Sequence, residues 1–212
     1  MFDGFVDWHS HILPGVDDGI QTMKSALAVL DYFQQLGVAQ VWCTPHIMVD
    51  IPNKPEDLRL RFEELKSAYS GPVELHLAAE HMMDSLFEQR LEKGEVLPLG
   101  EDGDHLLVET SYFNPPSDMN GVLSRVRRAG FFPVLAHPER YDYMDEKDYE
   151  RLSAEGVLFQ MNVASLVGAY GLHVQAKAQW MLDRGMYSYY GSDIHSLESF
   201  KERINLKAKF KL

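Results

Sequence analysis

The feature that most constrains the fold is the alternation of short apolar segments with amphipathic helical patterns along the 212-residue chain. Helical spacing of apolar residues begins at Met23 and at Pro55 and recurs over 119–129, 149–155 and 172–184. The apolar segments between these patterns have the length of buried strands: 5–8, 38–44, 73–79, 106–109, 132–136, 157–162 and 187–191. Strands that alternate with helices are typically parallel and joined by crossovers. The sequence therefore predicts an α/β fold, either a closed barrel or an open doubly wound sheet.

Polar side chains stand at the carboxyl end of each predicted strand. In chain order they are His9 and His11, His46, Glu80, Glu109, His137, Asn162, and Asp193 with His195. An open sheet gathers such residues only near its switch point, whereas a barrel brings the carboxyl ends of all its strands around one mouth. We therefore predict a small, distorted TIM-like (β/α) barrel of about seven mainly parallel strands, forming one domain over residues 1–212.

The composition narrows the class of partner and of metal site. A formal net charge of −12 and a sequence pI near 5.1 argue against binding to a nucleic-acid backbone, which requires clustered Lys and Arg. The single cysteine, Cys43, excludes an internal disulfide and a Cys-rich zinc cluster. No apolar run is long enough to span a membrane, and the N-terminus lacks a signal-peptide pattern. We expect a cytoplasmic protein without membrane insertion, in which His and carboxylates hold any metal.

The polar residues at the predicted mouth are typical metal ligands. His9 and His11 are two residues apart in an extended segment, so both imidazoles lie on one face and can reach one ion. The candidate ligands are His9, His11, Asp17, His46, Glu80, Glu109, His137, Asp193 and His195. This set is too large for one tetrahedral ion and indicates two or three ions that share bridging carboxylates. Mixed imidazole and carboxylate ligands fit manganese, iron or zinc.

Closely spaced divalent ions suit the hydrolysis of phosphate esters, because they lower the pKa of a bridging water and hold the oxygens of an in-line displacement. Arg140 supplies a forked cation for a phosphate oxygen; the alternative for this residue is an ion pair with Glu139 or Asp142. Arg203 is a further candidate for a second phosphate contact.

The ordered set of motifs resembles the polymerase and histidinol phosphatase (PHP) superfamily. Its segments here are His9-Ser10-His11, Leu-Pro-Gly-Val-Asp-Asp-Gly over 13–19, Thr44-Pro45-His46, Ala79-Glu80, Glu109, Ala136-His137-Pro138-Glu139-Arg140-Tyr141 and Gly191-Ser192-Asp193-Ile194-His195. Within the superfamily, the segment over 13–19 and the His-Pro-Glu-Arg-Tyr segment resemble bacterial manganese-dependent protein-tyrosine phosphatases of capsule and exopolysaccharide loci. The resemblance covers almost the whole chain.

That resemblance implies a PHP barrel with three divalent ions at its mouth, of which manganese is the expected metal and iron, zinc and magnesium are alternatives. By analogy the first ion is held by His9, His11, Glu80 and Asp193, the second by Glu80, Glu109 and His137, and the third by Asp17, His46 and His195. Asp17 is chosen on this resemblance, whereas Asp18 is expected to cap a helix. The implied reaction is hydrolysis of phosphotyrosine by a metal-activated water. Its implied substrate is the C-terminal tail of a bacterial tyrosine kinase that controls capsule and exopolysaccharide synthesis.

Two alternatives stay open at the level of sequence. The same ligands can serve a PHP-type phosphoesterase that acts on a small phosphate monoester such as histidinol phosphate, since ligands report chemistry before specificity. The other alternative is a catalytically idle metal-binding protein that docks on a kinase tail.

The basic tail over 205–212 is expected either to cover the barrel or to contact a partner. The oligomeric state is left open.

Overall fold

A computed structural model describes the backbone of residues 2–209 and the side chains of residues 2–204, so the roles predicted for the tail over 205–212 lie outside the described side chains. The strands in chain order are β1 (Val6–Ser10), β2 (Gln40–Cys43), β3 (His46–Ile47), β4 (Glu74–Leu77), β5 (Glu80–Met82), β6 (His105–Glu109), β7 (Phe132–Ala136), β8 (Leu158–Asn162) and β9 (Tyr187–Gly191). The helices are α1 (Met23–Leu36), α2 (Pro55–Ala68), α3 (Ser85–Lys93), α4 (Met119–Arg128), α5 (Glu146–Ala154), α6 (Leu172–Asp183) and α7 (Leu197–Lys209).

The strands form two parallel sheets, ordered β1-β2-β4 and β3-β5-β6-β7-β8-β9. Two pairs of short strands continue one another along the chain. Pro45, which has no N–H to donate, separates β2 from β3, and a break at 78–79 separates β4 from β5. Across these breaks the pairing continues, because Ala78 N donates to Cys43 O at 2.9 Å and Glu80 N donates to Pro45 O at 3.1 Å. The nine strands therefore occupy about seven positions, as the sequence predicts.

The two outer strands of the sheets, β1 and β9, lie side by side. Asp193 N donates to His9 O at 2.8 Å, and His11 N donates to Ile194 O at 3.2 Å. These bonds bring the first and last metal-ligand motifs of the sequence together. In the part of the chain that the structure describes, no continuous strand pairing joins the two sheets into a closed barrel, although their strands are arranged as a ring.

Helices pack on the outer faces of the strands because each has one apolar face. In α1 the buried residues Ala26, Leu30 and Phe33 recur at helical spacing. The side chain of Thr22 accepts from Ser25 N at 3.1 Å at the start of α1, so the expectation that Asp18 caps a helix is wrong. Among the described residues, no helix is both long and apolar enough to cross a membrane.

The apolar core has two main clusters, one on each side of the ring. The first packs α1, α2 and α7 against β1, β2 and β4 through residues such as Phe33, Leu65 and Phe200. The second packs α3 to α6 against β6 to β9 through Phe87, Phe159 and others. Neither cluster includes the polar residues at the carboxyl ends of the strands. The polar residues that follow the strands gather there.

Candidate metal centre

Histidines from β1 and from the segment just after it face two carboxylates from distant parts of the chain. His9 Nε2 lies 3.1 Å from Glu80 Oε2 and 3.6 Å from Asp193 Oδ1. His11 Nε2 lies 3.3 Å and 3.4 Å from the same two oxygens. All four side chains are buried. The sequence predicts that these two imidazoles lie close together, and their Nε2 atoms are 3.1 Å apart.

Glu80 stands at the centre of the cluster. Besides the two histidines of the first motif, its Oε2 lies 3.1 Å from His46 Nδ1, and its Oε1 lies 3.0 Å from His137 Nε2. His46 Nδ1 is also 3.2 Å from Glu109 Oε1. One carboxylate thus contacts four imidazoles, which is the position expected of a ligand shared between ions.

Asp18 forms the outer edge of the cluster. Its Oδ1 lies 3.5 Å from His46 Nε2 and 3.4 Å from His195 Nε2. The His195 ring stacks on the His11 ring with the centroids 4.0 Å apart. Asp18 therefore lies beside His46 and His195, where the sequence analysis predicts Asp17.

Asp17 is turned away from those histidines and supports one of them from behind. Its Oδ2 accepts from His11 Nδ1 at 2.8 Å and from the His46 backbone N–H at 3.1 Å. Its other oxygen accepts from Gly19 N at 2.9 Å. With His11 Nδ1 occupied by this bond, Nε2 is the nitrogen free to bind an ion. The structure thus gives Asp17 an orienting position instead of the predicted ligand position.

The ligand atoms fall into four overlapping groups, each with its atoms within 4.8 Å of one another. The groups are His11, Asp18, His46 and His195; His9, His11 and Asp193; His9, Glu80 and His137; and His46, Glu80 and Glu109. Every predicted ligand except Asp17 belongs to at least one group. The overlap at Glu80 fits a carboxylate that bridges two ions, and the overlaps at His9, His11 and His46 show that the groups adjoin one another.

Several atoms at this centre are buried without a hydrogen-bond partner. They include Glu80 Oε2, Glu109 Oε1, His46 Nδ1 and His137 Nδ1. Glu80 Oε2 has three imidazole nitrogens within 3.3 Å but hydrogen-bond geometry to none of them. A buried carboxylate oxygen in this condition is costly unless a cation compensates it. The donor set and its orientation therefore fit divalent metal ions.

Polar side chains of β8 hold the ligands in place. Gln160 Oε1 lies 2.8 Å from His9 Nδ1 and accepts from the His137 backbone N–H at 3.3 Å. The bond to Nδ1 leaves His9 Nε2 for an ion. Asn162, which the sequence places at a strand end, donates from Nδ2 to Asp193 Oδ2 at 2.8 Å. Both side chains bond candidate ligands, which gives them an orienting position.

The turn that carries Asp193 is held by a buried carboxylate of β1. Asp7 Oδ1 accepts from Ser192 N at 2.7 Å, and burial raises the pKa of Asp7 to about 6. Asp193 adopts φ 51° and His137 adopts φ 31°, both in the left-handed region that residues with a Cβ rarely occupy. Such backbone strain persists only where surrounding contacts impose it, and here it occurs at two metal-ligand candidates.

The pKa shifts distinguish two candidate ligands, His9 and Glu80, from His81, a buried histidine next to them. Burial lowers the pKa of His9, but the Glu80 carboxylate more than offsets this and raises it to about 9. Burial opposes ionisation of Glu80, yet the imidazoles around it hold its pKa well below its ordinary range. His81 behaves differently, because burial lowers its pKa to about 4 and its nitrogens bond the backbone of Leu107 and Leu97. His81 is a neutral structural residue.

A cavity of about 330 Å³ opens over the ligand cluster. Arg140 faces it, with Cζ 4.3 Å from the ring centroids of both Tyr112 and Tyr170. Arg140 Nη1 donates to Asp193 Oδ2 at 2.8 Å. Arg203 lines the same cavity and donates to Tyr170 Oη at 2.9 Å. Two cations predicted from the sequence therefore meet at the mouth.

The alternative ion pairs considered for Arg140 are not formed. Glu139 is buried and accepts from Ser165 Oγ at 2.7 Å and from Tyr187 Oη at 3.1 Å. Asp142 contributes its backbone N–H to the carbonyl of Tyr112 at 2.8 Å. The carboxylate that Arg140 contacts is that of Asp193, a candidate metal ligand.

Comparison with known proteins agrees with this geometry. Residues 5–209 match the protein family described as "Capsular polysaccharide synthesis, CpsB/CapC". The chain belongs to the CpsB/CapC family. It is 28% identical over 207 residues to the tyrosine-protein phosphatase CpsB of Streptococcus pneumoniae, covering 92% of this chain and 84% of that protein. It is 26% identical over 200 residues to the tyrosine-protein phosphatase YwqE of Bacillus subtilis (strain 168), covering 92% and 78%.

A solved structure also matches this CpsB/CapC-family chain, with a TM-score of 0.85 and 23% identity over 97% of this chain and 87% of the other. It comes from the crystal structures of YwqE from Bacillus subtilis and CpsB from Streptococcus pneumoniae, described as unique metal-dependent tyrosine phosphatases. The match confirms the predicted α/β fold with mainly parallel strands. The resemblance to capsule-locus phosphatases is confirmed by the family match.

Sequence reasoning missed three residues that the structure of this CpsB/CapC chain places at the candidate site. Asp18 was available as the second acidic residue of an Asp-Asp-Gly turn. Gln160 stands out in retrospect as an amide inside a strand that is otherwise apolar until its end. Tyr170 lies in the connection after β8 and has no sequence signal of its own, since aromatic residues are common in such segments.

Proposed function

We propose that this chain is a metal-dependent protein-tyrosine phosphatase that works in the cytoplasm as a single domain. The observation that carries the proposal is the environment of Glu80: its buried Oε2 has three imidazole nitrogens within 3.3 Å and a hydrogen bond to none. Relatives that match nearly the whole chain are tyrosine-protein phosphatases, and the ligand positions are complete. A catalytically idle binding protein would not need this full set.

We propose three ions at this centre, with manganese as the metal and iron, zinc or magnesium as alternatives, as the family resemblance implies. Following the division that the resemblance implies, we assign the first to His9, His11, Glu80 and Asp193, the second to Glu80, Glu109 and His137, and the third to Asp18, His46 and His195, each set drawn from adjoining ligand groups. Asp18 replaces Asp17 in this assignment because its carboxylate faces both histidines. Bound divalent ions would lower the pKa of a coordinated water and neutralise charge on the phosphoryl group.

The residues of the cavity supply binding and orientation. Arg140 is held between two tyrosine rings and uses one N–H on Asp193, which leaves its remaining donors for phosphoryl oxygens. The ring of Tyr112, 5.7 Å from that of His137, forms a wall beside the ligands. The next residue, Phe113, is 71% exposed, and we propose that a polypeptide substrate contacts it. We propose a phosphotyrosine protein as substrate, specifically the C-terminal tail of a bacterial tyrosine kinase that controls capsule synthesis.

The activity is tested by phosphate release from a phosphotyrosyl peptide of a tyrosine-rich tail, with manganese present and after its removal. We expect metal-dependent turnover with a kcat/KM at least about 10-fold above that for histidinol phosphate, because only the peptide would also contact the aromatic side chains of Tyr112 and Phe113. Preferential hydrolysis of the small monoester would support the phosphoesterase alternative. Absence of metal-dependent turnover of either substrate would refute the phosphatase assignment.

The assignment of Asp18, and not Asp17, as a ligand has its own test. Asp18→Asn is expected to lose about one ion per chain, because an amide oxygen is a weaker ligand than a carboxylate. Asp17→Asn is expected to retain the ions with affinity lowered about 10- to 100-fold, the usual cost of losing a residue that orients a ligand. Metal content of both variants after dialysis, measured by mass spectrometry, distinguishes the two roles. A loss of bound metal in Asp17→Asn alone would restore the original assignment.

A further inference from the structure

The hydroxyl of Tyr170 accepts two hydrogen bonds from residues of the site. Asn162 Nδ2 donates to Tyr170 Oη at 2.9 Å, and Arg203 Nη1 donates to the same oxygen at 2.9 Å. A phenol oxygen carries one proton and a limited capacity to accept, which two donors occupy. The proton of Tyr170 is therefore left to donate in a third direction.

Among the side chains and carbonyls that the structure describes, none takes that proton. Within the described residues, Tyr170 Oη makes no hydrogen bond other than the two that it accepts. Burial, and secondarily the nearby Asp193 carboxylate, raises the pKa of Tyr170, so the residue remains a neutral phenol near pH 7. Tyr170 also lines the cavity over the metal-ligand cluster. Its free donor capacity is thus available at the proposed substrate site.

The position of Tyr170 relative to the two arginines indicates what it donates to. The Arg140 guanidinium stacks on its ring at 4.3 Å, and Arg203 Cζ lies 5.1 Å from the same ring centroid. Asn162 fixes both the Tyr170 hydroxyl and the Asp193 carboxylate through one amide nitrogen. The hydroxyl therefore bonds one of the two cations that contact its ring, and Asn162 holds it at a set position relative to a metal-ligand candidate. A tetrahedral anion placed between the arginines would present an oxygen to it.

We propose that Tyr170 is a catalytic residue that donates its phenol hydrogen bond to a non-bridging oxygen of the substrate phosphoryl group. The proton stays on Tyr170, and the P–O bond breaks as in the proposed hydrolysis. The inference rests on the proposed function, because it places the phosphoryl group between Arg140 and Arg203. A hydrogen bond to this oxygen stabilises its negative charge in the bound substrate and in the transition state. It therefore contributes to both binding and turnover.

The first test replaces Tyr170 with phenylalanine, which keeps the ring stacked on Arg140 and removes only the hydroxyl. With the manganese-loaded protein, Tyr170→Phe is expected to lower kcat/KM about 10- to 100-fold for a phosphotyrosyl peptide and for p-nitrophenyl phosphate alike. Vanadate, measured by inhibition and by calorimetric binding, should bind about 10-fold more weakly. A loss below about 3-fold in both turnover and vanadate binding would overturn the proposal.

Tyr143→Phe is the matched control. Tyr143 donates to Thr110 Oγ1 at 3.3 Å and does not line the cavity. Removing its hydroxyl is expected to leave kcat/KM and vanadate binding within about 2-fold of the parent, since it contacts nothing at the site. Thermal melting and metal content of both variants should match those of the parent. Equal losses in the two tyrosine variants would contradict a specific role for Tyr170.

A double-mutant cycle with Arg203 separates donation from positioning. If Tyr170 acted only by holding Arg203, Tyr170→Phe would cost nothing once Arg203→Met is present. The proposal expects Tyr170→Phe to cost about 10-fold in that background too, because the hydroxyl itself contacts the phosphoryl group. A loss confined to the peptide, with its poor leaving group, would overturn the assignment to a non-bridging oxygen. A parent protein without phosphatase activity would instead refute the proposed function.

Discussion

Replacing Glu80 with glutamine is expected to reduce phosphotyrosine hydrolysis by at least about 1000-fold, the scale of about 4 kcal/mol expected when a buried charge is removed from its partners. Glu80 is fully buried and contacts the imidazoles of His9, His11, His46 and His137. Glutamine has the same shape but no negative charge, so it no longer compensates the charge of these imidazoles or of the proposed ions. Steady-state turnover of a phosphotyrosyl peptide, together with metal content per chain, measures the effect.

His81→Gln supplies the control for this substitution, because His81 follows Glu80 on β5 and is equally buried. Its two ring nitrogens contact Leu107 O at 3.2 Å and Leu97 N at 3.4 Å. A glutamine amide can donate to the first group and accept from the second. Activity within about 3-fold of the parent and an unchanged metal content are therefore expected. If both substitutions abolished activity equally, the loss would reflect damage to β5 and not the removal of a ligand.

Removing the metal is expected to abolish activity and to lower the melting temperature, and adding manganese back should restore both. Ions that bind only the folded chain stabilise it by mass action, about 4 kcal/mol at a free concentration 1000 times the dissociation constant. Without them, Glu80, Glu109 and Asp193 remain buried and close together, compensated by the surrounding imidazoles and, at Asp193, by Arg140. Calorimetric melting of chelated, reloaded and untreated protein measures this change. Full activity with fewer than two ions per chain would contradict a multinuclear centre.

The metal-free protein is also expected to lose stability as the pH rises above neutrality. The folded-state pKa of His9 is about 9, above its ordinary value of 6.5, because Glu80 favours the charged imidazole more than burial opposes it. Its contribution, on the order of 3 kcal/mol, is therefore complete below pH 6.5 and is lost as the pH rises through about 9. Metal binding requires neutral imidazole and should release protons near pH 7.5. Proton uptake or no release on manganese addition would contradict this account.

Much of the framework follows from local sequence patterns. The bounds 132–136 and 187–191 predicted for two strands agree with β7 and β9, because turn residues stand on both sides of these short apolar runs. The segment predicted as one strand over 73–79 is instead β4 and β5. Helix α3 escapes the periodic pattern because Arg90, one of its buried positions, is polar and donates to the Pro52 carbonyl at 3.1 Å. A charged residue that can be buried because it bonds a backbone carbonyl has no signature in hydrophobic periodicity.

The sequence by itself determined the class of fold and the kinds of ligand, because strand ends and their polar residues are local and ordered along the chain. It could not decide between Asp17 and Asp18, since adjacent residues in a turn point in different directions and only the packed loop shows which carboxylate faces His46. Nor could it reveal the bonds of Gln160 to His9, 151 residues apart, or of Tyr170 to Arg203. Such contacts arise only when the tertiary structure brings β8, β1 and α7 around one mouth.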